Sequence, residues 1–191
     1  MKKNYRLALM GILSAIIVVQ NFVPFLGYIP IQPFNPTIIQ ITVIIGAVAL
    51  GGLHGAVLGG VWGVVCLFRA FVLPTSPIDP IVFTNPLVSV LPRVLVGLAA
   101  GYLFAFLKRT KVPTMAGAAI CGVAGSFVNT VFVLGTIYLL YKVPYAEFYG
   151  MAAEELLPAI LGVVGTNGVA EAIAAGILTP VIVRALPIKK L

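Results

Sequence analysis

The chain has 191 residues, of which 61% are hydrophobic and only 9% charged, with a mean hydropathy of +1.13 and a formal net charge of +7. Soluble domains carry ~25% charged residues, so this composition excludes a water-exposed surface over most of the molecule. A bilayer core ~30 Å thick needs ~20 apolar residues per helix, and the length therefore allows about six or seven spans. The apolar runs are long and continuous, which favours helices over a membrane β-barrel.

Proline and glycine punctuation divides the chain into six predicted spans within one integral membrane domain, residues 1–191. The spans cover residues 7–23, 37–50, 55–73, 87–107, 115–141 and 159–186. The first resembles a signal peptide, but it lacks a small-residue cleavage site and is followed by further apolar segments. The second is short, and the last two are longer than a perpendicular helix needs, so we expect tilt or partly extramembrane ends.

Basic residues determine the predicted orientation, because cytoplasmic loops carry an excess of lysine and arginine. Nine of the twelve fall on one side of the six-span arrangement: Lys2, Lys3, Arg6, Lys108, Arg109, Lys111, Arg184, Lys189 and Lys190. Four of the five acids fall on the other side: Asp79, Glu147, Glu154 and Glu155. Both termini are therefore predicted to be cytoplasmic. The positive net charge describes a face attracted to anionic lipid and gives no support to nucleic-acid binding.

The two predicted outer loops, residues 24–36 and 74–86, are proline-rich and semi-apolar. They read PFLGYIPIQPFNP and PTSPIDPIVFTNP, in which prolines fix the backbone and aromatic residues suit the interface. We expect these loops to fold back over the helix bundle as lids. The alternative is a pair of ordinary interfacial loops anchored by their aromatic residues.

Small residues recur every fourth position in several spans, which places them on one helix face. The clearest stripe is Gly51, Gly55, Gly59 and Gly63, at the inner end of the third span. Small faces let helix backbones approach closely in lipid, and van der Waals contact then drives their association. We expect most of these stripes to serve internal packing.

Two arginines lie in the outer halves of predicted spans. Arg93 is six residues into the fourth span, ~9 Å below its outer end, and Arg69 is four residues before the end of the third. An ionisable side chain in a span costs ~2.5–3.5 kcal/mol, so it usually faces a cavity, a partner or a ligand. A guanidinium donates two parallel hydrogen bonds to a carboxylate, and the pair predicts an anion site. The alternatives are snorkelling to headgroups and pairing with Glu171 or Asp79.

Uncharged polar residues accompany the arginines within the spans. The four candidate amides are Asn129, Asn167, Asn85 and Gln40. Buried amides must find partners, so these either bridge helices or contact a polar ligand. Trp62, near the middle of the third span, either forms the floor of a ligand pocket or packs in the core. Glu171 is deeper, and we expect it to be a structural partner or a neutral carboxyl.

The first span carries a small-residue pair, Gly11 and Ala15, near its cytoplasmic end. The chain resembles the S component of an energy-coupling-factor (ECF) vitamin transporter in its length and predicted topology. The resemblance is carried by the segments RLALMGILSAIIV, NPTIIQITVIIGAVALG and NPLVSVLPRVLVGLAAG. The resemblance implies that Gly11 and Ala15 dock against a membrane-embedded T component, with Gly11 where the family more often has alanine. It also implies two cytoplasmic ATPases, and a subunit that captures its vitamin outside and topples when docked.

The sequence contains no HExxH, GxSxG or GxxxxGK[ST] motif, and its single histidine, His54, lies in a predicted cytoplasmic turn. We therefore expect a transport subunit of the plasma membrane, not an enzyme, with no cofactor or metal of its own and with ATP used by its partners. Two outer arginines fit an anionic vitamin with hydroxyl and amide groups, of which pantothenate is expected. Folate or biotin, and a self-sufficient secondary transporter or channel, remain the alternatives.

Overall fold

The computed structural model describes residues 3–23, 26–27 and 37–186, and most of these residues are helical. Nine α-helices lie within these ranges: α1 (Lys3–Phe22), α2 (Ile39–Leu50), α3 (Gly52–Val72), α4 (Asp79–Val82), α5 (Pro86–Ser89), α6 (Leu91–Leu107), α7 (Thr114–Phe148), α8 (Leu156–Val163) and α9 (Val169–Ala185). A 3-10 turn, Ala153–Glu155, precedes α8, and a π-helical segment, Val164–Gly168, joins α8 to α9.

Five helical stretches in the described ranges are long and apolar enough to cross a membrane: Asn4–Phe22, Gly52–Val72, Pro86–Leu107, Thr114–Phe148 and Ala153–Ala185. These coincide with five of the six predicted spans. The remaining predicted span, the second, corresponds to α2, whose 12 residues extend only ~18 Å. All residues of α2 are buried, so it is a central helix that is hydrophobic around its whole circumference.

The turn between α2 and α3 is formed by Gly51, whose φ of 98° lies in the region that favours glycine. A Cβ added to Gly101 of α6 would lie 3.0 Å from the carbonyl carbon of Gly51, so Gly51, the residue directly before α3, also belongs to the predicted packing face. The remaining glycines of the stripe lie within α3 itself.

The close contact between α3 and α6 confirms the packing role of the glycine stripe. A Cβ added to Gly55 would lie 2.7 Å from the carbonyl oxygen of Gly97, and one added to Gly63 would lie 2.5 Å from the Cα of Val90. Between them, a Cβ on Gly59 would overlap the carbonyl oxygen of Arg93. The backbones of α3 and α6 can touch only because these side chains are absent.

Helix α7 extends beyond the predicted end of the fifth span and is kinked. The backbone of Tyr141 is non-helical, with φ −130° and ψ 22°, and Pro144 lies in the turn that follows. Proline lacks the N–H that continues the helical ladder, which accounts for a kink at this point. The predicted boundary at residue 141 is therefore the kink, and the helix continues to Phe148.

The second outer loop folds back onto the bundle, as expected from its apolar character. Its residues Ile78 and Val82 are buried with Val88 against Val133 and Ile137 of α7. The first outer loop lies mostly outside the described residues, so its expected lid role stays a prediction.

The bend of the second loop is held by a single carboxylate. Oδ2 of Asp79 accepts hydrogen bonds from the Thr75 backbone N–H at 2.8 Å, the Thr75 hydroxyl at 2.6 Å and the Ser76 backbone N–H at 3.0 Å. Asp79 is itself buried, and it thereby satisfies donors that the turn would otherwise leave without partners.

Candidate functional site

Helices α2, α6 and α7 meet at one level of the bundle. A Cβ added to Gly125 would lie 2.8 Å from Cδ1 of Ile44 and 3.7 Å from Cβ of Ala100. Helix α3 runs antiparallel to both α2 and α6, and α7 runs antiparallel to α6. The N-terminal ends of α2 and α6 and the C-terminal half of α7 therefore share one end of the bundle.

Three of the predicted site residues lie toward this shared end. Gln40 is four residues from Ile44 along α2, and Asn129 is four residues from Gly125 along α7. Arg93 is seven residues from Ala100 along α6. At ~1.5 Å per residue these separations are ~6 Å and ~10 Å along the bundle. Residues distant in sequence are thus brought to neighbouring levels of one buried region.

A buried hydrogen-bond network ties α2, α7 and α9 together around a carboxylate. The Nε2 of Gln40 donates to Oγ of Ser126 at 3.0 Å and to Oε2 of Glu171 at 3.2 Å. The backbone N–H of Thr37 donates to Oε1 of Glu171 at 2.7 Å. The expectation that Glu171 has a structural partner is confirmed, and both of its carboxylate oxygens accept hydrogen bonds.

The guanidinium of Arg93 is buried beside two aromatic rings. Its Cζ lies 5.1 Å from the ring centroid of Trp62 and 5.5 Å from that of Phe83, within the range of cation–π attraction. Its Nη1 donates to the Val88 carbonyl oxygen.

Four of the predicted site residues carry a buried polar atom without a hydrogen-bond partner in the described part of the chain: Gln40 Oε1, Trp62 Nε1, Arg93 Nε and Asn129 Oδ1. These side chains are between 0% and 6% exposed. The four atoms comprise two donors and two acceptors. Leaving such an atom unpaired costs ~1–3 kcal/mol, so a polar ligand that supplies the missing partners would be stabilised here. Asn21 Oδ1 and Thr179 Oγ1, elsewhere in the bundle, are also buried without a hydrogen-bond partner among the described residues.

The other three predicted substrate residues have different surroundings. Arg69 is buried and its Nη1 donates to the Asn21 carbonyl oxygen at 3.1 Å, which ties α3 to the end of α1. Asn85 caps α5 by accepting from the Leu87 N–H at 2.9 Å, and its amide nitrogen is 3.1 Å from the Tyr141 hydroxyl. Asn167 is half-buried within the π-helical segment. Their roles in substrate binding stay predictions.

Ser126 is a site residue that sequence reasoning missed. It precedes Asn129 and Thr130 by three and four residues, a spacing that places all three on one face of α7. This polar stripe in an otherwise apolar helix is the signal that could have identified it. The partnership of Thr37 with Glu171 has no comparable signal, since it is a backbone contact between residues 134 positions apart.

The small-residue pair of α1 lies on the exposed face of that helix. Gly11 and Ala15 are both exposed, and a Cβ added to Gly11 would meet nothing within 4 Å among the described residues. Large apolar residues, including Leu7 and Ile12, are exposed beside the pair. The pair therefore remains accessible to another membrane helix.

An apolar groove of about 650 Å³ opens between α7 and α9 on the outside of the bundle. It is lined by Ala119, Ile120, Val123, Ala124, Phe127, Ile173, Gly176 and Ile177. A groove without polar groups on a membrane-spanning helix pair suits acyl chains and does not suit an anionic vitamin. The polar cluster is therefore the candidate site.

Comparison with known proteins decides the family. The model of the family described as ECF transporter, substrate-specific component, matches residues 5–183. The chain belongs to this family. As an ECF transporter substrate-specific component it is a transport subunit, and with several apolar helices it is a multi-pass protein of the cell membrane.

Two relatives cover nearly the whole ECF component. The pantothenate transporter PanT of Leuconostoc mesenteroides is 36% identical over 187 residues, covering 94% of this chain and 91% of the relative. The pantothenic acid transporter PanT of Lactococcus lactis subsp. cremoris is 34% identical over 193 residues, covering 94% and 92%. The solved structure of ThiT from Listeria monocytogenes matches with a TM-score of 0.61 at 16% identity, over 98% of this chain and 97% of that one. This last likeness supports the fold alone.

Proposed function

We propose that the chain is the pantothenate-binding subunit of an ATP-driven ECF importer. The observation that carries the proposal is its identity of 34% and 36%, over 94% of its length, to two relatives named as transporters of pantothenate or pantothenic acid. The chemistry of the cluster agrees, because pantothenate has a carboxylate that accepts hydrogen bonds and hydroxyl and amide groups that donate them. The cluster offers two donors and two acceptors that lack partners within the described residues.

Arg93 is the proposed partner of the carboxylate. Its Nη1 is held by the Val88 carbonyl oxygen, which leaves the edge of the guanidinium that carries Nε for a ligand. An arginine edge and a carboxylate form a bidentate pair, which is both stronger and more directional than a neutral hydrogen bond. Trp62 Nε1, Gln40 Oε1 and Asn129 Oδ1 would then contact the remaining polar groups of the vitamin.

The proposed topology has six spans, one of them the short buried α2, in a single domain of residues 1–191 with both termini in the cytoplasm. Support comes from the basic residues at one end of the bundle: Arg6, Lys108, Arg109, Lys111 and Arg184. The cluster around Arg93 is toward the opposite end, so on this topology it is reached from outside the cell.

The proposed partners are a membrane-embedded T component, which docks on Gly11 and Ala15, and two cytoplasmic ATPases that use ATP. The exposure of this small pair on α1 supports the proposal, since small residues let a second helix approach its backbone closely. The chain itself would need no cofactor.

Titration calorimetry of the purified protein with pantothenate tests the ligand. Replacing Arg93 by alanine removes a charge-assisted hydrogen bond worth ~1.5–3 kcal/mol, so we expect affinity to fall ~10- to 150-fold. Arg184→Ala, at an exposed arginine near the other end of the bundle, is the matched control and should bind normally. Undiminished binding by Arg93→Ala would remove Arg93 from the site. Binding of folate or biotin in place of pantothenate would select the alternative vitamins.

Co-purification with the T component tests the docking surface. Gly11→Leu and Ala15→Leu should abolish the complex while pantothenate binding by the free subunit is retained. Gly162→Leu is the matched control, because Gly162 is also exposed and a Cβ there meets nothing within 4 Å among the described residues. Pantothenate uptake by the chain alone in sealed vesicles would instead support a self-sufficient transporter.

A further inference from the structure

The side-chain amide of Gln40 is held in one orientation by its surroundings. Gln40 is fully buried, and its Nε2 donates to both Ser126 and Glu171. A primary amide has two N–H groups, so both are used by these contacts. Its Oε1 has no hydrogen-bond partner among the described residues and is left as the free acceptor of the amide.

Glu171 is the group that dictates this orientation. Its Oε1 accepts from the Thr37 backbone N–H, a donor that cannot reverse, and its Oε2 accepts from Gln40. A carboxylate that accepts on both oxygens would repel the amide oxygen of Gln40, so the reversed amide is excluded. Ser126 does not discriminate, because a hydroxyl can donate or accept.

Glu171 and Arg93 also give the cluster a fixed electrical polarity. The guanidinium of Arg93 is held by the Val88 carbonyl oxygen, whereas the carboxylate of Glu171 is held by the Thr37 N–H and by Gln40. A ligand carboxylate is attracted to Arg93 and repelled by Glu171. The end of the ligand remote from its carboxylate is therefore directed to the side of Gln40.

We propose that Glu171 is a positioning residue that turns Gln40 Oε1 toward the ligand, so that the site selects a vitamin with a hydroxyl group remote from its carboxylate. The inference rests on the proposed function, since pantothenate carries its two hydroxyl groups at the end opposite its carboxylate. A site built to accept a hydrogen bond rejects an analogue lacking the donor, because its acceptor then stays buried without a partner. Glu171 acts through Gln40 and need not touch the vitamin.

The test measures discrimination between ligands and not affinity alone. Pantothenate and two analogues, each with one hydroxyl replaced by hydrogen, are titrated into the purified protein. The wild type should bind at least one analogue ~5- to 150-fold more weakly than pantothenate. In Glu171→Gln the Thr37 N–H still fixes the oxygen of the new amide, so its NH2 faces Gln40 and favours the reversed amide. The discrimination ratio should then fall at least fivefold toward one.

Glu155→Gln makes the same change at an exposed glutamate and should leave the ratio as in the wild type. Gln40→Leu should lose the discrimination as well, and adding Glu171→Gln to it should change the ratio no further. If Glu171→Gln does not fold, Gln40→Leu still tests the inference.

A wild type that binds pantothenate and both analogues equally would overturn the inference while leaving the proposed function intact. An unchanged ratio in folded Glu171→Gln or folded Gln40→Leu would do the same. Failure of the wild type to bind pantothenate at all, with Arg93 present, would overturn the proposed function together with the inference.

Discussion

Alanine at Gly59 should destabilise the protein, whereas alanine at the neighbouring Gly60 should not. A Cβ on Gly59 would overlap the carbonyl oxygen of Arg93 and lie 2.6 Å from its carbonyl carbon. These are backbone atoms of α6, so no rotamer change relieves the contact and the two helices must separate. A Cβ on Gly60 would lie 3.8 Å from Cγ2 of Val94, an ordinary van der Waals distance.

The expected difference in stability between the two variants is found by cancelling the effect that they share. Both gain the same ~0.8–1.0 kcal/mol of helix propensity on replacing glycine by alanine, and this gain cancels in their difference. What remains is the overpacking at Gly59, ~2–3 kcal/mol for a methyl group that meets backbone atoms of α6. At ~2–4 °C per kcal/mol for a chain of this size, the Tm of Gly59→Ala should be ~4–12 °C below that of Gly60→Ala.

Thermal unfolding in detergent, followed by the fluorescence of Trp62, measures this difference. Trp62 is the single tryptophan of the sequence, is buried, and lies three residues from Gly59 on α3. Pantothenate affinity should fall in Gly59→Ala as well, since the displaced carbonyl belongs to Arg93. Equal Tm values and equal affinities for the two variants would refute the close approach of α3 and α6.

Asn85→Ala removes the cap of α5 and should lower the free energy of unfolding by ~1 kcal/mol; an unchanged Tm would show that the bond to the Leu87 N–H is dispensable. Asp79→Ala leaves the donors of Thr75 without their acceptor, and we expect ~10-fold faster hydrogen exchange of that amide by mass spectrometry. Exchange at the wild-type rate would contradict the role of Asp79. Trp62→Phe keeps the ring but loses Nε1–H, so pantothenate affinity should fall ~2- to 10-fold by calorimetry; undiminished affinity would remove Trp62 from the site.

Hydropathy predicted where the helices are because the apolar pattern is local. The predicted ends at residues 73 and 107 fall within one residue of Val72 and Leu107. The two largest errors, at the end of the fifth span and at the start of the last, occur at prolines. The sequence pattern places the start of the last span after Pro158, but Pro158 lies in the first turn of α8, where the missing N–H costs no helical bond.

The candidate site could be predicted residue by residue but not as an arrangement. Arg93, Gln40 and Asn129 were identifiable because each is polar within an apolar span. Their grouping depends on contacts such as that of Gln40 with Glu171, which joins residues 131 positions apart. No local period encodes such a contact. It follows from how α2, α7 and α9 pack, which the sequence pattern alone does not specify.

Packing and binding are linked through the same glycine. In lipid no hydrophobic force draws α3 and α6 together, so their association depends on close backbone contact. At Gly59 the backbone that makes this contact is that of Arg93. The contact holds the guanidinium over Trp62, one turn along α3, at 5.1 Å from its ring centroid. At an open helix surface, alanine could replace the glycines of this stripe. Here Gly59 must stay glycine, because its contact with α6 sets the position of the arginine proposed to bind the vitamin.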